Sequence, residues 1–170
     1  MKLTAPKLEL SPPTGSLLPG RGFYQLEEDS LYIALAKYPE PARYFSSIES
    51  DIVRFDIDLK GRLMTIEVDL PRRRWPVDET ITYPTQATTA DIRFSDFRES
   101  LATPALATDP DRQNLMMRFS NNTPTASYYL ADRLLCQIDA DQTLVTLWVT
   151  DIIDDLAGQE IRDFRSHAQA

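Results

Sequence analysis

The chain has 170 residues, a formal net charge of −8, one cysteine, one histidine and 42% hydrophobic residues, a composition typical of a globular chain of one or two small units. A single cysteine excludes an internal disulfide, and no apolar run approaches the ~20 residues that a membrane helix needs. The acidic balance disfavours nucleic-acid binding, which gains free energy when Lys and Arg neutralise phosphates. The first ten residues contain no uninterrupted apolar stretch, so we expect no signal peptide and a cytoplasmic protein.

Residues 1–21 are predicted to form an N-terminal loop, because Pro12, Pro13 and Gly15 disfavour regular structure. A first β-module is predicted over residues 22–84. Its strands are expected where β-branched and aromatic residues concentrate, at residues 23–26, 31–35, 52–58 and 63–70.

The third of these strands alternates apolar and charged side chains. Its charged row contains Arg54, Asp56 and Asp58, which a two-residue period places on the face opposite the apolar row. Gly61 then supplies the positive φ that a tight hairpin turn usually requires. The same period predicts Met64 on the apolar face of the following strand.

Residues 85–112 are predicted to be a linker, with a short helix over residues 95–102. The pattern there is ambiguous, because Ile92 and Phe94 also fit an alternating strand. A second β-module is expected over residues 113–152, with strands at residues 115–119, 126–130, 134–138 and 144–150. In the remaining segment, residues 153–170, a helix is predicted over residues 154–165 and would dock through Leu156, Ile161 and Phe164.

The two modules share an internal repeat. Residues 53–69 align without gaps on residues 134–150, with five identities that include Ile57/Ile138 and Asp58/Asp139. Two unrelated hairpins that follow one pattern would give a similar alignment, so chance stays an alternative. Otherwise each module needs the other to cover its apolar face. The predicted fold is therefore mainly β, with two similar antiparallel β-modules packed as a sandwich or partly open barrel and a short C-terminal helix.

One part of the chain resembles a known family. An Asp-x-Leu-Tyr-Ile strand at residues 29–33 precedes the hairpin pattern Asp-x-Asp-x-x-Gly-Arg-Leu-x-x-Ile-Glu at residues 56–67. Together they resemble a small prokaryotic domain family of unknown function, over roughly residues 23–70. In the second module Gln137, Gln142 and Trp148 replace the Asp, Gly and Glu of that pattern. The resemblance implies a compact β-meander and implies no known activity.

The sequence contains one basic cluster, Arg72-Arg73-Arg74-Trp75. Arginine binds phosphates or carboxylates through two parallel hydrogen bonds, and Trp75 offers a ring for stacking, so these four residues are the candidate ligand-binding site. The alternative is an ordinary solvated strand exit, in which the arginine stems cover an aromatic ring. A variant of that alternative places the cluster against acidic residues of another copy.

The carboxylates Asp56, Asp58 and Glu67 match part of a calcium-loop spacing. Lys60 stands where a third oxygen ligand belongs, and the flanking segments have the period of strands. These residues therefore predict a carboxylate-rich hairpin, with no metal site.

Other chemistry has little support in the sequence. His167 lies three residues from the C-terminal residue, and Cys136 falls in an apolar row. No zinc ligand set and no phosphate-binding glycine loop is present, so we expect no cofactor.

Three readings of function remain. The first is a non-enzymatic β-module protein that forms a homo-oligomer or binds another protein. The second is a small-ligand binder or enzyme that uses an Arg/Trp/carboxylate groove between the modules. The third is an acidic protein that neutralises a basic partner.

Overall fold

The computed structural model describes residues 5–35, 43–95 and 100–168. The strands are β1 (Leu8–Ser11), β2 (Gly20–Gln25), β3 (Ser30–Leu35), β4 (Tyr44–Glu49), β5 (Val53–Asp58), β6 (Leu63–Val68), β7 (Thr88–Thr89), β8 (Asp91–Phe94), β9 (Ala105–Thr108), β10 (Leu115–Arg118), β11 (Ala126–Ala131), β12 (Leu134–Ile138), β13 (Leu144–Val149) and β14 (Ile153–Asp155). A short 3₁₀ helix spans Arg72–Arg74, and one α-helix, α1, spans Gln159–Ala168.

These strands form two six-stranded sheets and one two-stranded sheet. The first sheet has the order β14-β2-β3-β6-β5-β4, the second β7-β11-β12-β13-β10-β9, and the third pairs β1 with β8. Five consecutive strands, β2–β6 and β9–β13, therefore follow the same order in the two large sheets. The predicted mainly β fold with two similar modules is confirmed.

The register confirms that the two central hairpins are equivalent. Val53 pairs with Val68 in the first sheet, and Leu134 pairs with Val149 in the second. Both hairpins carry a β-bulge at the same point, next to Ile57 in one and Ile138 in the other. A bulge shifts the side-chain period by one residue. Leu63 is therefore buried and Met64 is not, so the prediction of Met64 on the apolar face is wrong.

The largest apolar cluster contains residues of both large sheets. Phe55 of β5 lies near its centre, with its ring centroid 5.6 Å from that of Phe119 and 5.5 Å from that of Phe94. Cys136 of β12 belongs to the same cluster. The two sheets therefore cover one another's apolar faces, as the repeat predicts.

Each of the two β-modules, which we call the first and second unit, also contributes segments to the other. The Leu8 N–H donates to the carbonyl of Gln142 in the second hairpin turn, while the Phe94 N–H donates to the carbonyl of Gly61 in the first. Strand β14, which follows the second unit, pairs in parallel with β2 of the first. Val77, which follows the first unit, forms a parallel bridge with Thr108 of the second. The large sheets are thus not purely antiparallel.

An aspartate closes each hairpin turn by accepting backbone N–H groups. The prediction of a charged row of Arg54, Asp56 and Asp58 is therefore wrong at Asp58. Oδ1 of Asp58 accepts the N–H groups of Lys60 and Arg62, and Oδ1 of Asp139 accepts those of Asp141 and Thr143. Asp58 is buried, because a carboxylate that accepts backbone N–H groups inside a turn points into the protein.

Several predicted boundaries differ from the structure. The predicted N-terminal loop contains β1, and the predicted linker contains β7, β8 and β9. Half of the helix predicted over residues 95–102 falls on residues 96–99, outside the described residues, and the other four positions, Ser95 and 100–102, are not helical. Strand β4, inside the predicted first module, is not among the predicted strands, whereas β8 matches the alternating pattern at Ile92 and Phe94. Strand β1 is short and pairs over a long sequence distance, so local pattern gives a weak signal for it.

The C-terminal helix begins later than predicted. Residues 153–155 form β14, and positive φ angles at Ala157 and Gly158 separate that strand from α1. Ile161 is buried and the ring of Phe164 packs edge-on against Phe23, with 5.5 Å between centroids. Leu156, predicted to dock, is exposed.

The two turn aspartates give a test of this architecture. Asp58 also accepts a 2.7 Å bond from Arg62 Nε in a buried ion pair, whereas Asp139 accepts one from the neutral Asn122 amide at 2.8 Å. We expect Asp58→Ala to lower the free energy of unfolding by about 3–5 kcal/mol. Asp139→Ala should lower it by about 1–3 kcal/mol. Urea unfolding followed by circular dichroism measures both, and an equal or reversed cost contradicts the assignment.

Candidate functional site

The predicted ligand-binding cluster lies directly after β6. Trp75 is buried, its Nε1–H donates to the carbonyl of Leu70 at 2.9 Å, and its ring meets Tyr24 edge-on with 5.9 Å between centroids. An indole held in this way is part of the core and presents no open face on which a ligand ring can stack.

The three arginines point to different partners. The Arg72 guanidinium lies 4.0 Å from the centroid of the Tyr24 ring and pairs with Asp154. Arg73 pairs with Asp29, and Arg74 is exposed, with no ion pair to any described residue. The structure does not gather the cluster into one anion site. Arg72 meets an acidic residue of the same chain, whereas the sequence suggested an acidic edge of another copy.

Asp29 connects this cluster to the first sheet. It accepts hydrogen bonds from the Tyr24 hydroxyl and from Arg73, and these two contacts hold the pKa of its carboxyl below the ordinary value of 3.8. A lowered pKa stabilises the folded state at neutral pH. That contribution is lost as the pH falls through the pKa of the folded state.

The carboxylates of the calcium-like spacing serve the sheet. Asp56 accepts the hydroxyls of Ser47 at 2.7 Å and Thr65 at 3.1 Å, Asp58 closes the turn, and Glu67 pairs with Arg54 at 3.0 Å. Within the described ranges, no group of three or more His, Cys, Asp or Glu residues is arranged to hold a metal ion.

The outer face of the second sheet repeats this polar arrangement in neutral form. Gln137 occupies the position of Asp56, donates to Ser127 Oγ at 3.2 Å and accepts from Thr146 Oγ1 at 2.6 Å. The sequence alignment pairs Asp56 with Gln137 and Thr65 with Thr146, but it does not indicate that their side chains bond across strands.

Cys136 lies in the core and His167 on the surface of the C-terminal helix. Complete burial raises the pKa of the Cys136 thiol to about 12, so the thiol stays protonated and poorly nucleophilic at neutral pH. His167 is exposed in α1, and its Nδ1 lies 2.8 Å from the Asp163 carbonyl oxygen. The two side chains do not form a catalytic pair.

A segment that we call the strap, residues 78–89, crosses the outer face of the second sheet. At one end Asp78 N–H donates to the Thr108 carbonyl of β9, and at the other β7 pairs with β11. Beneath it lies a small apolar cluster that includes Leu135 and Trp148. A cavity of about 450 Å³ opens beside the strap, between Tyr83, Trp148 and several charged residues.

Sequence reasoning missed this cavity. The strap has no repeat partner and no periodic pattern, so nothing locally indicates that Tyr83 reaches Trp148. The one signal is the alignment itself, in which apolar Trp148 stands opposite the charged Glu67.

A different surface carries exposed apolar groups. Tyr44, Phe45 and Leu59 are 61%, 52% and 68% exposed, and Tyr44 pairs with Asp58, the residue before Leu59. We call these three residues the β4 patch. The three residues therefore lie at the same end of the β4–β5 pair, and exposed large apolar side chains close to one another are typical of binding surfaces.

Substitutions around Asp29 test the first cluster. We expect Tyr24→Phe to raise the pKa of the Asp29 carboxyl most, because the tyrosine bond is its largest stabilising contact, and Arg73→Ala to raise it less. Arg74→Ala is the matched control and should leave it unchanged. Carboxyl ¹³C chemical shifts followed against pH measure all three, and an equal response to the two arginine variants contradicts the contact.

The accessibility of Cys136 tests the packing of the two sheets. We expect its reaction with a thiol-specific disulfide reagent to be ~100-fold or more slower in the native protein than in concentrated urea, because a buried thiol reacts only after opening. Absorbance of the released thiolate follows both rates, and comparable rates contradict the burial.

Comparison with protein families and with curated proteins finds no match, so the resemblance of residues 23–70 to a prokaryotic family stays a prediction. Across the described residues, no helix has the length and apolar character needed to cross a membrane.

Proposed function

We propose that this protein is a non-enzymatic β-sheet scaffold that binds a second copy of itself through the β4 patch. The single observation that supports the proposal is the grouping of Tyr44, Phe45 and Leu59, three of the most exposed large apolar side chains among the described residues. The proposal keeps the cytoplasmic location that the sequence predicts.

A β-bulge creates the patch. The pairing of β4 with β5 shifts between Tyr44 and Ser46, so Phe45 is the extra residue on the bulged strand. A bulge re-aims neighbouring side chains, and here two consecutive aromatic residues are both exposed. Aromatic residues supply most of the binding free energy in many interfaces.

The difference between the two sheets supports this location. Strand β11, the counterpart of β4, is covered along its edge by β7. Among the described residues β4 is the last strand of its sheet, and the Leu101 N–H donates to the Glu49 carbonyl at the end of that strand. An end strand that contains neither Lys nor Pro lacks two devices that commonly block pairing with another chain.

Binding is favoured over catalysis because the candidate chemical groups are engaged in structure. Asp58 closes a turn, Arg72 and Arg73 pair with aspartates, and Cys136 lies in the core. The same contacts, with Trp75 in the core, disfavour a ligand groove at Arg72–Trp75.

The charge of the protein determines how salt affects the dimer. Two copies that each carry a net charge of −8 repel one another, and added salt screens that repulsion. Self-association through apolar groups should therefore strengthen with salt, whereas a complex with a basic partner would weaken.

Light scattering after size-exclusion chromatography tests the proposal. Over a concentration series, the wild-type chain should approach twice its mass of 19.4 kDa, and more readily as salt is added. The triple variant Tyr44→Ser/Phe45→Ser/Leu59→Ser should remain at 19.4 kDa.

The matched control replaces two exposed leucines elsewhere, Leu26→Ser/Leu156→Ser, and should dimerise like the wild type. A wild-type chain that stays monomeric throughout, or a dimer that the triple variant retains, overturns the proposal.

A further inference from the structure

The cavity beside the strap has two chemically different walls. Ile81, Tyr83 and Trp148 form an apolar wall, and Asp109, Asp132, Arg133 and Asp151 lie around the remainder. Its volume of about 450 Å³ falls in the range of small-molecule sites, and an apolar wall combined with a few polar groups is their usual composition.

The aromatic wall is held in place. Trp148 is buried, and its Nε1–H lies 3.2 Å from Thr146 Oγ1 and 3.3 Å from Gln137 Oε1. Tyr83 meets it edge-on with 5.9 Å between ring centroids. The Thr150 hydroxyl hydrogen-bonds to Tyr83, and burial raises the pKa of that phenol, which stays neutral at physiological pH.

The charged wall is fixed to the backbone around it. Asp151 has a φ of 53°, its N–H donates to Asn114 Oδ1 at 3.1 Å, and its carbonyl accepts Arg21 Nε at 3.1 Å. Its carboxylate pairs with Arg133, the one cation among the described residues that line the cavity, and neutralises its charge.

The other two carboxylates retain accepting capacity. Oδ1 of Asp132 accepts the Gly20 N–H at 2.8 Å, and Oδ1 of Asp109 accepts the N–H groups of Gln113 and Asn114. Neither Oδ2 atom has a hydrogen-bond partner among the described residues. The wall therefore carries an excess of negative charge, beside aromatic rings that attract cations.

The repeat shows that this wall is particular to the second unit. The cross-strand pair Leu135 and Trp148 occupies the register position of Arg54 and Glu67, which form an ion pair in the first sheet. The second sheet thus has apolar groups where its counterpart has two opposite charges.

We propose that this cavity binds a small organic cation, an amine or amidine attached to an apolar group, with the charge held by Asp109 and Asp132 and the apolar part against Tyr83 and Trp148. An anion is disfavoured because Arg133 is already paired with Asp151. The site is on the second sheet, whereas the β4 patch is on the first, so neither proposal depends on the other.

Titration with benzamidine tests the site, with benzamide as a neutral probe of nearly the same shape. The indole N–H signals of Trp148 and Trp75 in a ¹H–¹⁵N spectrum report on the cavity and on the distant core. Benzamidine should shift the Trp148 signal to saturation and leave that of Trp75 in place, and benzamide at equal concentration should shift neither.

Asp132→Asn keeps the acceptor for Gly20 N–H and removes the charge, so benzamidine binding should weaken roughly three- to tenfold. Asp109→Asn should act in the same direction, which keeps the test valid if one variant folds poorly. Asp141→Asn, an exposed residue of the second hairpin turn, is the matched control and should bind like the wild type. The proposal is overturned by a non-saturating response, by an equal response to benzamide, or by unchanged affinity in both aspartate variants.

Discussion

The structure depends on a single constraint, which is that each five-stranded unit has one apolar face that it cannot cover alone. Strands β2–β6 and β9–β13 have the same order, and their inner faces meet around Phe55. Each large apolar side chain removed from water contributes about 1.5–3 kcal/mol. A sheet that left this face exposed would forfeit that contribution at many positions at once. Packing of the two faces against each other is therefore the main source of stability.

Segment exchange strengthens the same interface. Strands β1 and β8 each reach the hairpin turn of the opposite unit, and β14 and Val77 each extend the opposite sheet. The segments that follow β14 and Val77 then cross the outer face of the sheet that each has joined. The strap covers the second sheet, and α1 covers part of the first through Ile161 and Phe164. Neither unit is complete without segments that belong in sequence to the other.

The sequence predicts those parts of the arrangement that depend on residues close together in the chain, and it predicts poorly those that depend on distant segments. The eight strands with alternating or β-branched patterns, the repeat and the two-module fold are predicted, because these depend on neighbouring residues. Strands β1, β4, β7, β9 and β14 are missed, and β8 is indicated only as the alternative at Ile92 and Phe94. Strands β1, β7 and β14 exist only through pairing with distant segments. The burial of Asp58 is missed because a carboxylate in an alternating row looks exposed until its turn bonds are known.

The candidate site is predicted less well, for a related reason. Arg72–Trp75 form a conspicuous cluster in sequence, yet Trp75 lies in the core and Arg72 and Arg73 find aspartates on β14 and before β3. The cavity combines Tyr83 of the strap with Asp109, Asp132 and Trp148 from three separate parts of the second unit. No short motif brings these residues together, so only the topology does.

The two copies differ most where the fold constrains them least. Positions that close the turns or face the core are kept, as in Asp58/Asp139 and Ile57/Ile138, because both copies need the same bonds and the same packing. On the outer faces the charged pair Arg54/Glu67 is replaced by Leu135/Trp148. At the edges β7 covers β11, whereas β4 is the last strand of its sheet in the part of the chain that the structure describes. The shared hairpin pattern therefore reports on folding, and both proposed binding surfaces lie where the two copies differ.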